Sequence, residues 1–217
     1  MNQMMVRSLY FHGQWFAVDG EGYGKTGSIT QAAGEPVPDF TMLAYGLCLD
    51  SDATVSDAGA VIGDPTEAAL IVLAAKMGVD APLTRQTYPR LAEVPFDSAY
   101  KFMATFHRLP VDGTVRLVEM VKGGPDVVLN RCRWAFRPGR ERVELAEVRA
   151  EIEAANEQMS AEGLRVLAFA ARDRQENSAG RMDAEDAADL LDEATYALEK
   201  RLSMINALTA ELDDDFA

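Results

Sequence analysis

Residues 100–122 read YKFMATFHRLPVDGTVRLVEMVK, and this stretch decides the fold class. β-Branched and aromatic residues crowd both halves, and Asp112-Gly113 between them is the dipeptide that a tight hairpin turn asks for. The pattern predicts strands over 100–108 and 114–122 joined as an antiparallel hairpin, with a further strand over 91–96. Upstream, 5–11 and 14–20 have the same character around His12-Gly13 and predict a second hairpin, followed by a Gly/Pro/Thr-rich loop over 21–38. Helices interrupt the strands irregularly. The apolar run 40–49 has helical length, 125–130 reads as a short helix, and 144–161 as a long charged one. The clearest helix begins at Asp64, which can cap it. Pro65 suits the first helical position, and Glu67 completes an Asp-x-x-Glu capping box. Leu70, Leu73, Ala74 and Met77 form its core stripe, and Gly78 ends it. After Gly163 one more strand is expected, over 164–172. Hairpins mixed with helices, without regular strand–helix alternation, predict an α+β fold: a mainly antiparallel, twisted β-sheet flanked by helices.

The 217 residues provide enough chain for a real hydrophobic core. No stretch approaches the roughly 18 uncharged apolar residues of a membrane helix, and the start lacks the pattern of a signal peptide. Cys48 and Cys132 are the only cysteines, which argues against a disulfide framework and suits a reducing cytosol. The formal charge of −14 is uneven. Residues 176–217 hold 12 acidic and 3 basic side chains, net −9, leaving −5 for residues 1–175. A body domain over 1–175 and an acidic segment over 176–217 are expected. Leu191, Leu198, Leu202, Ile205 and Leu212 recur at helical spacing in that segment. A field of this sign repels phosphate backbones, so nucleic acid is not an expected partner, although a few converging Lys and Arg can still hold a small anion.

With only His12 and His107, in separate strand segments, no Ser-His-Asp or Cys-His site assembles readily, and no zinc spacing exists. Residues 20–26, GEGYGKT, end like a phosphate-binding loop. The glycine that such a loop needs five positions before Gly24 is Asp19, however, and no helix is expected afterwards. Other segments fit an adenine pocket better. PFDSAYKFM, 95–103, puts Phe96 at a strand end with Lys101 five residues on: a stacking face for a base and a cation for its phosphates. VKGGPD, 121–126, ends a strand in Gly123-Gly124, where missing side chains let a flat ligand approach the backbone. Taken singly, Phe96 fits a core, Lys122 a surface charge and the glycines a turn.

Taken together they are specific. GDPTEAAL (63–70), PFDS (95–98), KGGP (122–125) and GLRVLA (163–168) resemble, in order and spacing, four nucleotide-domain signatures of P-type cation-transporting ATPases, nearest the calcium-pump-like and sodium-pump-like branch. VDGEGY (18–23) looks like the "TGEGY" segment of the same domain, and Asn2-Gln3-Met4 resembles the stretch just after the phosphorylated "DKTGT" motif. The likeness covers about residues 2–174 and implies the nucleotide-binding (N) domain fold. It implies that Phe96 stacks on adenine, that Glu67 accepts a hydrogen bond from the adenine amino group with Thr66 beside it, and that Lys101 faces the polar side of the nucleotide. Met103 would line the pocket, Lys122 lie deep in it, Gly123 and Gly124 open room for the base, Arg165 reach the phosphates and Leu167 pack near the base. Ser98, Ala99 and Tyr100 stand where many relatives carry charge, and no "DPPR" hinge follows Leu202-Ser203-Met204-Ile205.

Relatives transfer the γ-phosphate of ATP, bound as Mg-ATP, to an aspartate in "DKTGT". This chain lacks that motif, so it is expected to bind adenine nucleotide, weakly at about 0.1–10 mM, without catalysing hydrolysis and without a metal site of its own. The expected partners are the phosphorylation and actuator domains of a cytoplasm-facing pump whose remainder lies in a membrane, with no direct membrane contact by this chain. The alternative is a free-standing regulatory or interaction module that reuses the same fold. An in-frame "DKTGT" upstream of Met1 distinguishes the first from the second.

Overall fold

In a computed structural model of the chain, residues 3–31 and 34–174 are described. His12 and Gly13 both take positive φ, 53° and 79°, and this two-residue turn joins β1 (Ser8–Phe11) to β2 (Gln14–Val18) with Phe11 opposite Gln14. A third strand, β3 (Ile29–Gln31), pairs antiparallel with β2 inside the segment expected to be all loop. Its three residues are too few to reveal alternation, so the pairing comes from the neighbouring strand. Next follow α1 (Thr41–Leu49), the small ladder β4 (Thr54–Val55) and β5 (Val61–Ile62), α2 (Pro65–Lys76) and α3 (Ala81–Thr87). Helix α3 was not expected; Asp80 caps it by accepting a hydrogen bond from the Leu83 amide at 2.7 Å.

The expected strands over 91–122 become β6 (Ala92–Asp97), β7 (Phe102–Val111) and β8 (Thr114–Gly123). They are followed by α4 (Pro125–Leu129), β9 (Trp134–Arg137), β10 (Glu141–Glu144), α5 (Leu145–Ala161) and β11 (Ala168–Arg174). The β9–β10 hairpin occupies a stretch expected to be loop, and β11 starts four residues later than expected. The largest sheet has the order β11-β8-β7-β6, and the pairings β1/β2, β2/β3, β4/β5, β6/β7 and β9/β10 are antiparallel. The fold is α+β with mainly antiparallel sheets flanked by helices, as expected, and among the described residues the strands divide among four sheets. The amphipathic helix expected within 176–217 lies outside the described residues.

The chain divides into two units, 1–107 with 119–172 and 108–118 with 173–217. In the second, Asp112 and Gly113 take φ of 48° and 80° at the expected turn, and Arg116 pairs with Asp173. In the first, a core forms around α2. Every residue from Ala68 to Ala74 is buried, not only the expected stripe, because α2 packs against α1, α3, β4 and β5. Cys48 lies in this core, and burial pushes its thiol up to about 12, so it is an inert packing residue.

His107 on β7 is 1% exposed, with Nδ1 2.9 Å from the Tyr88 carbonyl. Burial is the main cause that lowers its pKa below 6.5. The sign follows directly. As pH falls through about 6.5 the unfolded chain takes a proton that the folded one refuses, so stability is full above that value and falls below it. A single group of this kind contributes a slope of at most about 1.4 kcal/mol per pH unit. Urea midpoints of the parent and of His107→Gln, compared at mildly acidic and neutral pH, should show a smaller acid-side loss in the variant. Identical losses would remove His107 as the source.

Candidate functional site

The site grows from the start of α2. Asp64 Oδ1 accepts hydrogen bonds from the amides of Thr66, at 2.8 Å, and Glu67, at 3.2 Å, which is half of the expected capping box. The other half does not form. The Glu67 side chain turns away from its own helix, and Oε2 accepts from the Asp52 amide at 2.8 Å and the Ala53 amide at 3.0 Å. Its Oε1 lies 2.6 Å from Lys122 Nζ. A buried cation and two unpaired loop amides outcompete the single amide that a capping box would satisfy.

Lys122, near the end of β8, is 6% exposed. Besides Glu67, its ammonium donates to the Asp50 carbonyl and lies 3.4 Å from Ser51 Oγ. The loop following α1 is held from its other side by Arg85, which donates to the carbonyls of Cys48, Ser51 and Ala53 at 2.9, 2.7 and 3.0 Å. Three donors on the last carbonyls of α1 and the loop beyond it satisfy groups that the helix leaves orphaned. Asp50 is fully buried, and burial drives its carboxyl well above the usual carboxylate range, with Lys122 and Arg90 pulling the other way. This loop was not singled out from the sequence. Asp50-Ser51-Asp52 after an apolar helix reads as an ordinary polar loop, and only the fold brings Lys122 and Glu67 to it.

Of the other expected residues, Arg165, Lys101, Phe96, Gly123 and Gly124 follow one connected path, and Met103 and Leu167 do not. Arg165 is exposed and donates to Thr66 Oγ1 at 2.9 Å, beside Glu67. Lys101 is exposed, at φ 58°, in the turn between β6 and β7; its amide bonds the Asp97 carbonyl at 2.8 Å, and its carbonyl accepts from the Gly124 amide at 2.8 Å. The β6–β7 turn is thereby tied to the end of β8, where Lys122, Gly123 and Gly124 follow one another. Phe96, next to Asp97 on β6, is 57% exposed, a large ring facing solvent. Met103, on β7, is 2% exposed and so buried rather than open to a cleft, while Leu167 is half-buried against the core around α2. The two glycines do different things. A Cβ on Gly123 would lie 2.4 Å from the Lys101 carbonyl oxygen and 2.8 Å from Phe102 Cβ, so the space is filled by the protein's own chain. A Cβ on Gly124 would meet only the mobile end of Asp126, at 2.9 Å, and the Lys101 side chain beyond 3.7 Å. The phosphate-loop decoy resolves as the sequence implied: residues 20–26 run into β3, not into a helix, and Lys25 pairs with Asp57 at 2.8 Å.

The family description "P-type ATPase, cytoplasmic domain N" matches residues 41–209. The chain belongs to this family. The resemblance read from the four motifs is borne out at the level of the domain. Among similar proteins, "Cation-transporting ATPase pma1" of Synechocystis sp. is 39% identical over 181 residues, covering 78% of this chain and 19% of the relative. "Calcium-transporting ATPase 1" of Lactococcus lactis is 40% identical over 132 residues, covering 61% of this chain and 15% of the relative. "Probable cation-transporting ATPase F" of Mycobacterium tuberculosis is 35% identical over 177 residues, covering 77% and 19%. The N domain described here thus spans about a fifth or less of the length of the curated relatives it matches. No helix among the described residues is long and apolar enough to cross a membrane.

Proposed function

We propose that this N domain binds the adenine end of ATP and, within a cation-transporting P-type pump, presents the γ-phosphate to an aspartate on a separate phosphorylation domain. The observation that carries the reading is the exposed Phe96 ring, 57% accessible at the end of β6, on the path that runs through Lys101 and Lys122 to Glu67. An aromatic ring left in water is a poor core residue and a good stacking face, worth about 1–3 kcal/mol per base. Glu67 has room for the role expected of it. A carboxylate offers about four acceptor positions. Lys122 and the amides of Asp52 and Ala53 take three, which leaves one for an adenine amino group. Lys101 and Arg165 are exposed cations suited to phosphates, whereas Lys122 is engaged with Glu67 and acts through it. Met103, buried, and Leu167, half-buried, contribute in this reading by packing rather than by open contact. In this reading the polypeptide supplies binding and orientation, and Mg-ATP and the acceptor aspartate supply the phosphoryl chemistry.

The test is an NMR titration of the chain with ATP, ADP and GTP, following amides around Phe96, Glu67 and Lys122. ATP and ADP should shift these amides with a Kd of about 0.1–10 mM, and GTP much less. Phe96→Ala should weaken ATP binding by about 1–3 kcal/mol while leaving the amide spectrum dispersed. Equal response to GTP, or unfolding of Phe96→Ala, would count against the assignment.

A further inference from the structure

Residues 131–142 read RCRWAFRPGRER, five arginines against one glutamate, a net charge of +4 in a chain of formal charge −14. The fold gathers this run onto β9 and β10. Register sets Ala135 opposite Val143 and Phe136 opposite Arg142. Alternation along the strands then separates two faces. Ala135 and Val143 pack inward with Leu129, Leu145, Val148 and Ile152, and Trp134, Phe136, Arg142 and Glu144 stand on the outer face. Trp134 is 39% exposed and Phe136 45% exposed. Two guanidinium groups lie over the indole, Arg133 at 5.0 Å and Arg142 at 4.7 Å from its centroid. Among the described residues neither of these arginines makes an ion pair, in contrast to Arg137 with Glu151 and Arg149 with Glu153.

Two exposed aromatic rings framed by guanidinium groups that make no ion pair among the described residues form the residue combination that anchors protein interfaces, where arginine and aromatics are enriched and lysine is depleted. Stacking on the indole holds the forks in place, so less side-chain freedom is lost when each grips a carboxylate through two parallel hydrogen bonds. We propose that the outer face of the β9–β10 hairpin docks an acidic segment of a partner protein, its carboxylates on Arg133 and Arg142 and an apolar side chain over Trp134 and Phe136. Charge favours this occupant over an extended polyanion. A membrane or a nucleic-acid duplex meets the field of the whole chain, which is strongly negative, whereas a short segment lies within the roughly 8–10 Å over which the patch acts unscreened.

Fluorescence anisotropy on the full chain tests this, with a short labelled peptide alternating glutamate with leucine as the probe and its lysine-for-glutamate counterpart as control. The acidic peptide should bind saturably and lose affinity as salt is raised. The double variant Arg133→Gln/Arg142→Gln should weaken it at least about tenfold, as should Trp134→Ser, with dispersed amide spectra in both. Equal binding of the lysine peptide, or undiminished binding by the double variant, would overturn the proposal. So would preferential binding of phosphatidylserine vesicles or duplex DNA. Peptide binding should survive in Phe96→Ala, so failure of the nucleotide reading and failure of this one give different results.

Discussion

Replacing Lys122 with methionine lowers folding stability by about 3–5 kcal/mol, the cost of breaking a buried ion pair from one side. The ammonium is the counter-charge of Glu67 at 2.6 Å and a donor to the carbonyl of the fully buried Asp50, while the Glu67 side chain is 15% exposed. Methionine fills most of the volume, so the loss reports electrostatics rather than a cavity. Removing the second charge as well, in Lys122→Met/Glu67→Gln, should recover part of the loss, because the residual penalty in the single variant is an unpaired buried carboxylate. Glutamine keeps an oxygen for the Asp52 and Ala53 amides. Urea denaturation of the parent, Lys122→Met, Glu67→Gln and the double variant gives the coupling. A loss under about 1 kcal/mol in Lys122→Met would show that the pair is solvated and contributes as little as a surface bridge.

Gly123→Ala should cost about 3 kcal/mol, at the upper end of overpacking, while Gly124→Ala should stay within about 1 kcal/mol. The added methyl at Gly123 meets a backbone oxygen at 2.4 Å and Phe102 Cα at 2.9 Å. Neither can rotate away, so β7 and β8 must separate where they bring Lys101 beside the site. At Gly124 only the end of Asp126 has to move, and an exposed carboxylate moves cheaply. Parallel urea titrations of the two alanine variants measure the contrast, and equal costs would refute the close-approach argument. The glycine pair was read from the sequence as room for a flat ligand. At Gly123 the room is occupied by the neighbouring strand, which is a reason that no single-residue pattern contains.

Much of the architecture was legible locally. The hairpins around His12-Gly13 and Asp112-Gly113 follow from turn chemistry and β-branched flanks, and α2 follows from Asp64, Pro65 and its apolar residues. β3, β9 and β10 were not legible, because three or four residues show no period of their own and form strands only when a partner offers its hydrogen bonds. The same division runs through the site. Four motifs in order identify the N domain, whereas Phe96 taken singly fitted a core, and only the fold shows its ring 57% exposed.

What the sequence by itself determined is the α+β class, the family and the residue types that an adenine nucleotide would need, because turn geometry, helix caps and motif order are short-range or linear properties. What only the tertiary structure decided is the use of those residues. Glu67 leaves its own helix for Lys122 and the loop after α1, and Gly123 makes space for a strand. The arginines of 131–142 meet on one face around Trp134. Each of these depends on which distant groups the fold brings together, and for the buried polar groups it would be costly to be left unpaired.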